Sequence, residues 1–282
     1  DVAEVTGQFA SVTGANVLGN VDTKRGKDGR YAQVTWEWSK TGYSTLEYGL
    51  EERVDRRDAA RYGAWFDAEL AAVRRVRRLL ALSREIRVAA TIFDASTFAP
   101  SSNITHEWDD ATNADPIIDV HGAKKRLWAK GIEANALIIN KQVYDNIRVC
   151  DAVLDRVASA GAGMPTVKSM IGIEQLKAAF DLEYILVGAA MKNTADEGLT
   201  ASLSPVWSNE YAAVCRIATS QDIEDPCIGR TFHYTPDGSQ IGGVIETYYD
   251  ESRRADIARC RMDVDEVVLV SGAIDLMDNI TT

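Results

Sequence analysis

Between Trp108 and Val149 the chain reads WDDATNADPIIDVHGAKKRLWAKGIEANALIINKQVYDNIRV, the stretch that most restricts what it can fold into. Asp115 stands before Pro116, joining a side-chain acceptor to a residue that lacks only the donor a helix start leaves unpaired. The helix begun there carries Ile117, Ile118, Val120, Leu127 and Trp128, and Gly131 ends it because glycine tolerates positive φ. Ala136 to Ile139 reads as a short buried strand. Asn140 then caps a second helix that turns Val143, Tyr144 and Ile147 inward.

Upstream, Asp1 to Asn20 is small and polar, with Gly7, Gly14 and Gly19 and only Phe9 as a large apolar anchor, the composition of an extended arm. A charged hinge at 25–30 follows. Ala32, Val34, Trp36 and Trp38 then alternate with Gln33, Thr35 and Glu37, the period of a half-buried strand. A turn over Ser39 to Gly42 is expected to send the chain back through Tyr43 to Leu50, with Leu46, Tyr48 and Leu50 on one face. Such a two-stranded hairpin is marginal alone and needs a surface, its own body's or a neighbour's.

Beyond Asp55 the period becomes helical, with Tyr62, Phe66, Leu70, Val73, Val76 and Leu80 at three- and four-residue steps. Unbroken from Arg57 to Ile92, this rod would be roughly 50 Å long, and shorter if Gly63 breaks it. Arg74, Arg75, Arg77 and Arg78 read as a solvated or salt-bridged face before a phosphate-binding one. Later strands are expected at Leu182 to Val187, Tyr211 to Ala218, Arg230 to Tyr234, Gly243 to Tyr249 and Asp256 to Val270, with a loop over Ser159 to Pro165. Helices and strands interleave without a βαβ repeat, which defines an α+β architecture.

The residues offer little chemistry. Three histidines, His106, His121 and His233, are spread along 282 residues, and His106-Glu107-Trp108-Asp109-Asp110 reads as a solvated loop rather than a metal site. Cys150, Cys215, Cys227 and Cys260 form no CxxC pair and read as reduced thilols of a protein assembled in a reducing cytoplasm. Gly161-Ala162-Gly163 is a bare GxG without the rest of a dinucleotide fingerprint. A formal net charge of -11 opposes tight binding to a nucleic-acid backbone, and no apolar run approaches the roughly 18 residues that span a bilayer. These readings predict no enzyme, cofactor, metal or membrane partner.

Several segments, in order, resemble the major capsid proteins of tailed bacteriophages, which share the HK97-type fold. They are Tyr43 to Glu51 with Val54-Asp55, Leu80 to Val88 (LALSREIRV), Trp108-Asp109-Asp110 with Asn113 to Ile117, and Ala136 to Ile147. Ile185 to Gly188, Asn193-Thr194-Ala195 with Glu197-Gly198, Val206-Trp207 and Gly229 to Phe232 continue the series. The resemblance implies an N-terminal arm (1–20), an extended β-hairpin loop (21–55), a peripheral domain with a long spine helix (56–115 and 229–264) and an axial domain (116–228 and 265–282). It implies self-assembly into pentamers and hexamers of an icosahedral head, located in the virion and assembled in the host cytoplasm. Scaffold, portal and decoration proteins are implied partners, and the packaged double-stranded DNA is held without sequence-specific contacts. Candidate inter-subunit contacts are Phe9, Val34, Trp36, Trp38, Lys40, Tyr43, Leu46 and Tyr48. An encapsulin-type compartment shell of the same fold, enclosing cargo enzymes, is the alternative, and an enzyme of unassigned chemistry is a more distant one.

Overall fold

The computed structural model describes residues 1–12, 23–24, 29, 31, 38–100, 102–159, 171–222 and 225–281. In chain order the strands are β1 (Thr6–Val12), β2 (Trp38–Ser44), β3 (Leu46–Asp55), β4 (Ser102–Asn103), β5 (Ala136–Asn140), β6 (Tyr184–Gly188), β7 (Met191–Asn193), β8 (Leu203–Pro205), β9 (Ala212–Cys215), β10 (Gly229–His233), β11 (Val244–Asp250), β12 (Ala255–Val268) and β13 (Ile274–Asp278). The helices are α1 (Arg56–Tyr62), α2 (Ala68–Ile92), α3 (Pro116–Ala129), α4 (Lys141–Ile147), α5 (Asp151–Ser159) and α6 (Ile173–Phe180).

β5 is buried along its whole length and lies inside a mixed five-stranded sheet of order β4-β13-β9-β5-β6. Its side chains alternate between two cores, as the pleat requires. Leu137 and Ile139 face Val120, Leu127, Val143, Ile147, Val153 and Leu176 of α3 to α6. Ala136 and Ile138 face the opposite core, built from Ala89 of α2 with Phe98, Trp207, Ile228 and Leu276. The local signals that place this unit behave as their chemistry dictates. Asp115 accepts from the Ile117 and Ile118 amides behind Pro116, Gly131 sits at φ 77°, and Asn140 accepts from Gln142 N at 2.7 Å. Trp108, expected in a solvated loop, is instead fully buried, because its indole donates to Asp119 at 2.9 Å and its ring fills the α3 core.

The second sheet has β12 at its centre, antiparallel to β10 and β11 and, over Leu46 to Asp55, to β3. One face of β12 packs Ala258, Cys260, Met262 and Val264 against Ala72, Val76 and Leu80 of α2. α2 is 25 residues long, about 37 Å. Asp67 caps it, accepting from the Leu70 amide, and a turn containing Gly63 separates it from α1. The single apolar stripe drawn from Tyr62 through Phe66 and Leu70 is therefore corrected. Phe66 and Leu70 are exposed, since the helical phase does not carry across the break.

The expected hairpin is also redrawn. Ser39 to Gly42, read as a turn, lies within β2, and β2 pairs with β1 from Thr6↔Ser44 to Val12↔Trp38. The arm's first residues thus form the partner strand, and β3 belongs to the body sheet. Its pairing with β12 fixes this, because Val54 and Tyr48 bury against α2 only in that register. The alternating segment 32–37, the hinge 25–30 apart from Gly29, and the loop residues 160–165 lie outside the described residues.

Two side-chain fixtures join the layers. Arg126 of α3 grips Asp275 of β13 with two hydrogen bonds of 2.9 Å, and the Asp275 carboxylate has no solvent exposure. Trp207 occupies the space that a Cβ on Gly188 would need, donates to Glu85 of α2 at 2.9 Å, and stacks edge-on against Phe93. Asp275→Ala is expected to cost roughly 3 kcal/mol, since it removes both carboxylate hydrogen bonds from a partly buried guanidinium, and Gly188→Ala about 1–3 kcal/mol by overpacking. Urea unfolding midpoints at unchanged m-value check both.

Candidate functional site

Several groups that could serve a catalytic centre are held inside the fold. All four cysteines are buried and unbridged, and burial pushes the Cys215 thiol up to about 12, leaving it protonated at neutral pH. A serine, a histidine and an aspartate do meet. His233 Nδ1 lies 3.2 Å from Asp1 Oδ1 and Nε2 3.2 Å from Ser239 Oγ. That hydroxyl also accepts from the Asp263 amide at 3.0 Å, and both His233 and Ser239 are buried, so the group ties the chain start to the turn after β10 and offers no nucleophile to a substrate. Burial lowers the His233 pKa, which keeps the ring neutral. Asp119 is pushed the other way, its carboxyl raised by desolvation beside Trp108. Among the described residues no group of three His, Cys, Asp or Glu side chains is placed to hold a metal. Gly161-Ala162-Gly163 lies outside the described residues.

What the surface offers is contact area. Trp65 is 79% exposed and forms an aromatic knob with Tyr62 and Phe66 where α1 meets α2. Trp128 (75%) and Ile118 (68%) stand on the outer side of α3, and Leu203 (67%), Leu199 and Met191 on the small β7–β8 ribbon. A monomer rarely shows several such patches without a use for them. The helix carrying Ile118 and Trp128 was legible in the sequence, but the face they line was not, and the β7–β8 ribbon was not expected.

The candidate contact residues divide. Phe9 and Tyr43 clasp Phe232 of β10, Tyr43 stacked at 4.6 Å and Phe9 edge-on at 5.3 Å. Tyr48 lies under the Arg87 guanidinium at 3.7 Å, and Arg87 pairs with Glu266 at 3.1 Å. Phe9 and Tyr43 therefore anchor the base of the β1–β2 ribbon to its own body, with help from Thr45, whose amide donates to Val5 O, and Ser44, whose amide donates to Asp265, while Tyr48 is held within the body sheet. Leu46 and Lys40 are exposed. Trp38 opens β2, while Val34 and Trp36 lie outside the described residues. In the arginine cluster Arg75 pairs with Glu52 at 2.7 Å and its neighbours are exposed.

A mixed α+β body with a two-stranded ribbon at one end, a sheet laid on one long helix and a second helix-covered sheet at the other defines the class: the chain has the HK97-type fold of phage capsid proteins. Among solved structures it matches a phage-related protein from Bordetella bronchiseptica RB50 with a TM-score of 0.69 at 23% identity, over 99% of this chain and 88% of that one. It matches the capsid of the cyanophage P-SCSP1u with a TM-score of 0.61 at 12% identity, over 98% and 84%. A virus-like particle from Pyrococcus furiosus follows at 0.55 and 11%, over 98% and 87%. No family model matches the chain, and no curated protein does.

Phe232→Ala should release the ribbon base while both cores persist. Limited proteolysis is expected to cut faster within β1 and β2 than in the parent, with the rest of the chain still resistant.

Proposed function

We propose that this chain is the major capsid protein of a tailed bacteriophage, self-assembling as pentamers and hexamers into the icosahedral head that encloses double-stranded DNA. The observation that carries the reading is the extent of the fold match, which runs over 99% of this chain against the phage-related protein and 98% against the cyanophage capsid. Large exposed apolar side chains on α3, on the β7–β8 ribbon and between α1 and α2 supply surface for neighbours. The role is structural rather than catalytic. The net charge of -11 suits a wall that must surround DNA without gripping it. No helix of the described residues is long and apolar enough to cross a membrane. Scaffold, portal and decoration proteins are the partners this reading adds, with the virion as the location and the host cytoplasm as the place of assembly.

The proposed inter-subunit arm is the 13–37 connection between β1 and β2, with Val34 and Trp36 as its contact residues and the exposed Lys40 of β2 beside its return. Electron microscopy of the purified full chain should show closed particles of capsid size; a monodisperse monomer or dimer at high concentration overturns the shell. Particles that hold a protein cargo and no nucleic acid would move the chain to the compartment shells. Replacing 13–37 with a two-residue turn leaves the Val12↔Trp38 end of the ladder ready to close. That variant is expected to stay folded by circular dichroism and to form no particles, and normal particles from it would remove the arm's assigned part.

A further inference from the structure

The outer side of α3 carries Ile118, His121, Lys125 and Trp128 at steps of three, four and three, one exposed stripe opposite the buried Val120, Ala123 and Leu127. Its apolar ends flank a polar centre in which Lys125 carries the positive charge. The β7–β8 ribbon has a complementary make-up. Met191↔Pro205 and Asn193↔Leu203 are opposed pairs, so Met191, Leu203 and Pro205 share a single exposed face. Leu199, Asp196 and Glu197 stand exposed in the turn at its tip. Among the described residues no ion pair involves Lys125, Asp196 or Glu197.

The two patches cannot satisfy each other within one chain as it stands. α3 packs over β13 and β9, whereas β6, from which the ribbon continues, is the far edge of the same sheet. We propose that the β7–β8 ribbon of one copy docks on the Ile118–Trp128 stripe of a second copy, acidic tip against Lys125, with Leu203 and Met191 covering Trp128. The contact is head-to-tail: different surfaces meet, each copy offers one of each, and repetition about an axis closes a ring. A chain of net charge -11 repels its own copies, and Lys125 facing the acidic tip is where that repulsion turns to local attraction. Trp128 supplies the buried anchor that exposed ion pairs do not. This contact rests on the shell reading and specifies where its ring-forming interface lies.

The test is a charge swap in the full chain, read by light scattering and negative-stain microscopy. Lys125→Glu should lose the assembled fraction, and so should Glu197→Lys. Both substitutions in one chain should restore it, and Trp128→Ser should lose it again. As these side chains are exposed, each variant should keep the parent's unfolding midpoint. Should any variant misfold, a Lys125→Cys, Glu197→Cys chain decides, because the native cysteines are buried: mild oxidation should give a ladder of covalently linked copies on a non-reducing gel. Assembly at the parent's level by either charge reversal or by Trp128→Ser, no rescue by the doubly reversed variant, or no ladder would each overturn the contact while leaving the shell intact. A parent that does not assemble at all would instead remove the shell reading, and this contact with it.

Discussion

Everything in this molecule leans on α2, which is shared by two hydrophobic cores. Its first half lies on β12 and β3 through Ala72, Val76 and Leu80. Its last turns enter the core behind β5, where Ala89 packs with Phe98, Trp207 and Ile228. Each core alone would be a modest assembly of short elements. One helix of about 37 Å common to both turns them into a single strut, and apolar burial at roughly 25 cal/mol per Å² resists bending between them. Polar fixtures set the angle: Glu85 holds Trp207, while Arg84 and Arg87 converge on Glu266 of β12.

A rigid body of this kind leaves recognition to its periphery. Inside, apolar rings are spent on holding the ribbon base, where Phe9 and Tyr43 close on Phe232. Outside, Trp65, Ile118, Trp128 and Leu203 stand largely exposed and form the surface a neighbour can cover. In the proposed shell those weak contacts repeat many times over. Modest affinity at each is then sufficient, and the acidic balance of the chain keeps unassembled copies apart.

Local chemistry was the legible part of the sequence. Asp115-Pro116, Gly131 and Asn140 bound α3, β5 and α4 because caps and breakers act within a few residues of themselves. Non-local pairing was not legible. Ser39 to Gly42 has turn-forming residues, yet pairing with β1 holds it extended, as tertiary partners commonly override such preferences. The stripe drawn through Phe66 and Leu70 failed because one turn at Gly63 resets the helical phase. The motifs around Glu85, Gly188 and Trp207 were visible as an ordered series. That the three meet, the indole filling the place of a missing Cβ, is a fact of packing that no periodicity encodes. The outward direction of Ile118 and Trp128 escaped notice for a related reason: an apolar residue in a helix is read as core unless a partner is already known.

The account stands on the two sheets moving as one body through α2, and native-state hydrogen exchange in rising urea measures this most directly. The β5 and β12 amides of the isolated subunit should converge on a single opening free energy, both halves losing protection in one cooperative event. Release of β12 at distinctly lower urea, with β5 still protected, would show two independent units joined by a passive helix and would contradict it.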